Sequence, residues 1–172
     1  MASDNKTIDG IDARILNILQ DDGRIANVAI ARKVGLAPSA VLERIRKLEE
    51  RGLVLGYAAR VNPTAVGRGL LAFVFVRTDE AGAGRDTPRR LARIPEVQEV
   101  HNVAGEDCYL LKVRVRDPES LGRLLRESIG AVPAVRSTRT TIVLETLKED
   151  AAIPVDNGLP GARVRGAGRK RA

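Results

Sequence analysis

The sequence predicts an α+β protein in two parts, a winged helix-turn-helix domain followed by a βαββαβ domain. Three observations predict it. Through about the first fifty residues, apolar side chains recur at helical spacing and are interrupted by glycine turns. From residue 70 the rhythm changes to alternation. Strand-like and helix-like runs then follow in the order β-α-β-β-α-β, the ferredoxin-like arrangement of one antiparallel sheet with two helices on a single face.

Residues 1–7 read as a polar arm. A first helix places Ile8, Ile11, Ile15, Ile18 and Leu19 on one side, with Asp9 as its cap and Asp12, three residues on, to reinforce it. It ends near Asp21-Asp22-Gly23. A second helix, residues 26–34, turns Val28, Ile30, Ala31 and Val34 inward, and Gly35 suits a left-handed C-cap. The third helix begins near Pro38 and runs to Gly52. Its apolar side is Val41, Leu42, Ile45 and Leu48. Ser39, Ala40, Glu43, Arg46, Lys47 and Glu50 form the other side, with Arg44 at the boundary. Ala37, just before Pro38, has no side chain to cap with, so the helix starts there or two residues later at Ser39. Residues 52–61, β-leaning and broken by Gly56, read as a small hairpin or wing.

Asn62-Pro63 and Gly67-Arg68-Gly69 mark a linker over 62–69. Domain limits of 1–61, 70–149 and a tail from 150 to 172 follow. In the second domain residues 70–78 form a strand with a bulky face of Leu71, Phe73 and Phe75 and a smaller one of Ala72, Val74 and Val76. A glycine-rich loop over 79–86 precedes a short helix over 88–94. Strands over 97–104 and 108–115 flank a tight Gly105-Glu106-Asp107 turn. A helix opening at Asp117 carries the stripe Leu121, Leu124, Leu125 and Ile129, and residues 133–147 supply a last strand. Tyr109, Leu111, Val113 and Val115 face the helices, leaving Cys108, Leu110, Lys112 and Arg114 on an open sheet face. A second copy packing sheet to sheet would cover that face, so a homodimer at least is expected.

The net charge is +7, but its distribution is uneven. Residues 1–60 hold ten basic to eight acidic side chains, whereas 151–172 hold five to one. The tail reads as disordered and basic, suited to nonspecific phosphate contact or to simple solvation. Aromatic residues amount to 2%, which disfavours single-strand reading by base stacking and favours duplex DNA. One cysteine, Cys108, and one histidine, His101, exclude a disulfide framework and argue against a metal site. The same scarcity, with no paired carboxylates on one element, argues against an enzyme. With no apolar run long enough for a bilayer and no signal-peptide core, no membrane association and a cytoplasmic location are expected. Cys108 reads as a small strand-edge hydrophobe and His101 as a sheet-surface residue.

A helix-turn-helix followed by βαββαβ resembles the Lrp/AsnC family of transcription regulators, the feast/famine regulators. The likeness spans residues 8–148. Ile8-Asp9 with Ile11-Asp12, Asp22-Gly23-Arg24, Val34-Gly35-Leu36, the run from Val41 to Glu49, Gly52 with Gly56-Tyr57, Asn62-Pro63 and Tyr109-Leu110-Leu111-Lys112 carry it. The resemblance implies sequence-specific binding of double-stranded DNA and no cofactor. It also implies a RAM-type second domain that dimerises, assembles to octamers and takes a small effector, commonly an amino acid, between dimers. DNA contact then falls to Ser39, Ala40, Glu43, Arg44, Arg46 and Lys47. The effector falls to Gly105, Glu106, Asp107, Cys108 and Tyr109. In the family that loop reads Gly-x-x-Asp; here Cys108 stands at the aspartate position, and the alternation of a strand keeps Asp107 from pointing the same way. Two other functions fit the same elements, a DNA-compacting architectural protein with little sequence preference and an amino-acid-sensing regulatory module.

Overall fold

The computed structural model describes residues 8–79 and 86–156. The expected polar arm, most of the glycine-rich loop and the end of the tail lie outside the described residues. The chain divides into two compact units, one comprising residues 1–59 with 149–172 and the other residues 60–148.

The first unit holds α1 (Gly10–Asp21), α2 (Asn27–Val34) and α3 (Pro38–Glu50). Asp9 caps α1, its Oδ1 accepting from the backbone N–H groups of Ile11 and Asp12 at 2.9 and 2.7 Å. Gly35 ends α2 at φ +75°, a left-handed conformation that glycine adopts without a Cβ penalty, and the N–H groups of Gly35 and Leu36 both donate to the Ala31 carbonyl. Pro38 is the first residue of α3, and Ala37 makes no side-chain cap. Ser39 is therefore inside the helix rather than its cap. Ile15, Ile30, Val41 and Leu48 are the most deeply buried apolar side chains of this core.

Two apolar assignments do not hold. Val28 and Leu42, expected inward, are 48% and 56% exposed. Leu42 follows Val41 and Val28 stands two before Ile30, so each falls beside the narrow apolar stripe that its helix buries rather than on it. The wing is also absent: residues 52–61 form no strand. Gly52 reverses the chain at φ +70°, and the N–H groups of Leu53 and Val54 donate to the Leu48 carbonyl, closing α3 instead of pairing in a hairpin. Tyr57 then lies against Gly23, where an added Cβ would come within 3.2 Å of its ring, and its hydroxyl donates to Glu49 at 2.9 Å. Burial and the Glu49 carboxylate together raise the Tyr57 pKa.

The second unit is a four-stranded antiparallel sheet in the order β2-β3-β1-β4, formed by β1 (Leu70–Thr78), β2 (Val97–Asn102), β3 (Tyr109–Val115) and β4 (Val135–Ile142). The helices are α4 (Thr87–Ala92) and α5 (Pro118–Arg123), and α5 continues as a π-helical segment, Leu124–Ile129. The order β-α-β-β-α-β matches expectation. Ala72, Val74 and Val76 from β1 and Leu111 and Val113 from β3 are fully buried together with Leu91 and Ile129 of the helical layer. The π segment was not expected. Its wider turn closes with Gly130 N–H donating to the Leu125 carbonyl at 2.9 Å, and a Cβ at Gly130 would lie only 2.9 Å from that same oxygen.

The linker is ordered rather than loose. Asn62 Oδ1 accepts from the N–H groups of Thr64 and Ala65 at 3.0 and 3.2 Å, setting a turn before β1. The last strand ends at Ile142 instead of 147, and residues 150–156, expected to be disordered, run back along the first unit. Asn17 and Gln20 of α1 hydrogen-bond the backbone at Val155 and Ile153.

Candidate nucleic-acid interface and effector loop

The exposed face of α3 is built by helical spacing alone. Ser39, Ala40, Leu42, Glu43, Arg46, Lys47 and Glu50 are exposed, while Val41, Ile45 and Leu48 are buried beneath them. Their charges pair along the helix. Glu43 receives Arg46 at 3.3 Å and Lys47 at 3.4 Å, and Arg46 also lies 3.7 Å from Glu50. Hydrogen bonds from Arg46 and Lys47 hold the Glu43 carboxyl below its usual range. Such exposed pairs contribute little to stability. They keep the basic arms extended along one face, from which an incoming phosphate or base edge can take them over.

Arg44 does not belong to that face. Its Nη1 donates to Asp9 Oδ2 at 2.7 Å and to Asp12 Oδ1 at 2.6 Å, tying α3 to the amino end of α1. Hydrogen bonds to Asp9 and Asp12 raise the Arg44 pKa. At Asp9 desolvation pushes upward, but bonds from the Asp12 amide, the Arg44 guanidinium and the Ile11 amide outweigh it and lower the pKa. Arg44, expected among the DNA contacts, is thus engaged by two carboxylates within the unit. Asp12, expected to reinforce the cap, instead accepts this arginine. Leu42, which sequence reasoning placed in the core, is instead an exposed apolar side chain on this face, with Val41 before it buried and Glu43 after it exposed.

In the second unit, Gly105 turns the chain at φ +130° between β2 and β3. Asp107 accepts from Arg139 Nη2 at 2.9 Å, and the same guanidinium lies 3.9 Å over the Phe75 ring. Cys108 is half-buried, with its N–H donating to the Val76 carbonyl at 2.9 Å. Tyr109 is 7% exposed and packs in the core on the helical side, so it does not gather with the other loop residues. Glu106 is exposed. Arg139 is the loop's partner that sequence reasoning could not supply, because its neighbour Phe75 is set by strand register. A cleft of about 540 Å³ in this unit lies at the other end of β3, where Arg68, Glu96, Arg116, Arg123 and Glu127 line it.

The open sheet face carries Leu71, Phe73 and Phe75 beside Leu110, with Lys112 donating to Glu99 at 3.0 Å and His101 3.1 Å from the other Glu99 oxygen. Hydrogen bonds from His101 and Lys112 lower the Glu99 pKa. Among the described residues, no three His, Cys, Asp or Glu side chains are grouped to hold a metal, and no helix is long and apolar enough to cross a membrane.

Two family models match the chain, the AsnC-type helix-turn-helix domain over residues 8–49 and the Lrp/AsnC ligand binding domain over 71–153. The chain is 40% identical over 146 residues to the leucine-responsive regulatory protein of Escherichia coli, covering 84% of this chain and 89% of that one. It resembles the solved feast or famine regulatory protein of Mycobacterium tuberculosis in complex with L-methionine, with 42% identity and a TM-score of 0.79 over 85% of this chain and 98% of the other. A transcriptional regulator of Neisseria meningitidis, also solved with L-methionine, shares 30% identity and a TM-score of 0.79, over 86% of this chain and 97% of its own.

Proposed function

The chain belongs to the Lrp/AsnC family of transcription regulators, and from that premise we propose that α3 reads duplex DNA in the major groove while the second unit dimerises and responds to an amino acid. The observation that carries the DNA assignment is the exposed row Ser39, Ala40, Leu42, Glu43, Arg46 and Lys47, presented behind the Gly35 turn. Arg46 and Lys47 suit phosphate or guanine, Glu43 suits cytosine N4, Ser39 suits a phosphate, and Leu42 suits a thymine methyl. The uncapped amino end at Ala37 leaves backbone N–H groups facing outward, where a phosphate is favoured.

A sheet-to-sheet dimer is supported by Phe73, Phe75 and Leu110 on the open face, and by Leu144 and Leu147, 99% and 88% exposed after β4. Assembly of such dimers to an octamer places the loop over residues 105–108 against a neighbour. L-methionine in two structural neighbours makes it the first effector to try. With Cys108 at the aspartate position and Asp107 engaged by Arg139, the effector's ammonium must draw on Glu106 or displace Arg139. Because effector binding shifts assembly only through differential affinity, sedimentation and DNA affinity should move together.

The test is selection of bound duplexes from a random pool, followed by footprinting. Discrete protected sites spaced by helical turns are expected. Uniform coating without sequence preference would favour the architectural alternative.

A further inference from the structure

The cleft of about 540 Å³ at the far end of β3 is lined by a cation and an anion that do not pair with each other. Its size falls within the roughly 300–1,000 Å³ typical of small-molecule sites. Its walls all belong to the second unit and include the turn after Asn62, the end of β3, and α5 with its π-helical continuation. Two of its arginines are already engaged: Arg68 lies 3.4 Å from Glu96, and Arg116 lies 2.8 Å from Asp117. Arg123 and Glu127 line it as well, and among the described residues neither side chain has an ion-pair or hydrogen-bond partner.

Helix geometry explains why. On a regular α-helix, side chains four residues apart are neighbours, and an arginine and a glutamate at that spacing pair. Here Arg123 is the last residue of α5 and Glu127 lies within the π segment, whose i→i+5 winding takes residues four apart out of line. The wider turn leaves one cation and one anion on the same wall of the cleft, and such turns recur at functional sites. A plain anion at Arg123 would meet the Glu127 carboxylate, and a plain cation at Glu127 would meet the guanidinium. A zwitterion with its two charges close together satisfies both. Val66, 59% exposed on the turn, adds an apolar surface for a short aliphatic or thioether side chain.

We propose that this cleft is an amino-acid site of its own, separate from the loop over residues 105–108, in which Arg123 takes the α-carboxylate and Glu127 the α-ammonium. It deepens the reading above that the second unit responds to an amino acid, and it rests on that reading. The cleft offers the ammonium a carboxylate with no competing cation, whereas in the loop Asp107 is held by Arg139. The two places lie at opposite ends of β3, so their occupancy can be followed separately.

The experiment titrates the full chain, carrying methyl-labelled valine and leucine, and follows its methyl NMR spectrum. Val66 and Leu124 report on the cleft; Val76 and Val103, whose backbones bond that of Cys108, report on the loop. The probes are L-methionine, L-leucine, methionine without its amino group, and inorganic phosphate. L-methionine should shift Val66 and Leu124 saturably. Arg123→Gln and Glu127→Gln should each weaken that binding by about tenfold or more, as expected for loss of a charged hydrogen-bond partner, and leave the loop methyls titrating as in the native chain. The native chain should bind the deaminated compound about tenfold more weakly than methionine, and Glu127→Gln should abolish that preference. Both side chains are exposed, and unmoved resonances from the buried Val74 and Leu111 verify that each variant is folded. Shifts confined to the loop methyls overturn the cleft site and leave the amino-acid reading standing. Cleft binding of phosphate or the deaminated compound as tight as that of methionine makes this an anion site and overturns the zwitterion. If neither amino acid shifts either set, both readings fall together.

Discussion

In the helical unit the residues proposed to meet DNA are neighbours in sequence, running from Ser39 to Lys47 on one face of α3. In the sheet unit the open face is assembled from four strands: Phe73 and Phe75 of β1 lie beside Leu110 of β3, Glu99 and His101 of β2 border them on one side, and Arg139 of β4 covers Phe75 on the other. A helical face is a local property. It exists once the helix forms, and its charge pairs at i,i+3 and i,i+4 are weak enough to be exchanged for a ligand's. A sheet face is a property of topology. Its pairs join residues far apart in the chain, so they report on the fold and hold it together. The difference predicts that the two surfaces fail separately.

The largest effect expected is from Ile30→Ala, which empties a position with no exposed surface in the helical core. A loss of about 2–4 kcal/mol is expected, read by urea denaturation, with duplex binding lost and sedimentation size kept. If assembly collapses too, the units are not separable in this way. The converse is Phe75→Glu on the open face. It buries a charge in the proposed dimer contact and removes the ring beneath Arg139. Self-association should weaken at least about 100-fold, near 3 kcal/mol, by sedimentation equilibrium, while the far-ultraviolet spectrum stays that of the folded chain.

These differences also explain what could be read in advance. The three helices, the Gly35 turn and the order of strands and helices along the chain were legible because each element is marked by spacing within its own segment. The inward face of β3 was legible for the same reason, through alternation, whereas β1, apolar on both faces, did not show which one turns inward. Leu42 and Val28 were misread because apolarity alone does not say how wide a helix's buried stripe is. The hairpin over residues 52–61 was misread because Leu53 and Val54 have β-leaning side chains but spend their N–H groups on the end of α3. The pairing of Arg44 was not legible because its partners, Asp9 and Asp12, lie more than thirty residues away. Nothing in residues 150–156 announces the match to Asn17 and Gln20, since a backbone ligand has no sequence signature.

Within the helical unit, Lys47→Ala and Arg44→Ala should separate reading from holding. Lys47→Ala should weaken duplex binding by about 1 kcal/mol, roughly fivefold, and flatten the salt slope by about one, with an unchanged melting temperature. Arg44→Ala should lower stability by about 1–2 kcal/mol by leaving Asp12, largely covered, without its cation. Its binding loss should vanish when the duplex is titrated under conditions where the variant is fully folded. A large residual loss would return Arg44 to the groove.

The smallest effect is a pH dependence carried by Asp9. Its pKa in the folded chain lies below the ordinary value of 3.8, because hydrogen bonds from Asp12, Arg44 and Ile11 outweigh desolvation. A carboxyl lowered on folding stabilises the fold fully above its unfolded pKa, and that stabilisation disappears as pH falls through the folded value. The Asp9 side chain is 51% exposed, so solvent screening holds the effect under about 1 kcal/mol. Arg44→Met keeps the stem that packs across α1 and removes the charge. The stability difference between the native chain and this variant, from urea midpoints by circular dichroism, should be constant between about pH 5 and 7 and should narrow below 3.8. A difference that persists unchanged to pH 2 would mean that Arg44 holds α3 to α1 by packing, and that the charge pair contributes nothing measurable.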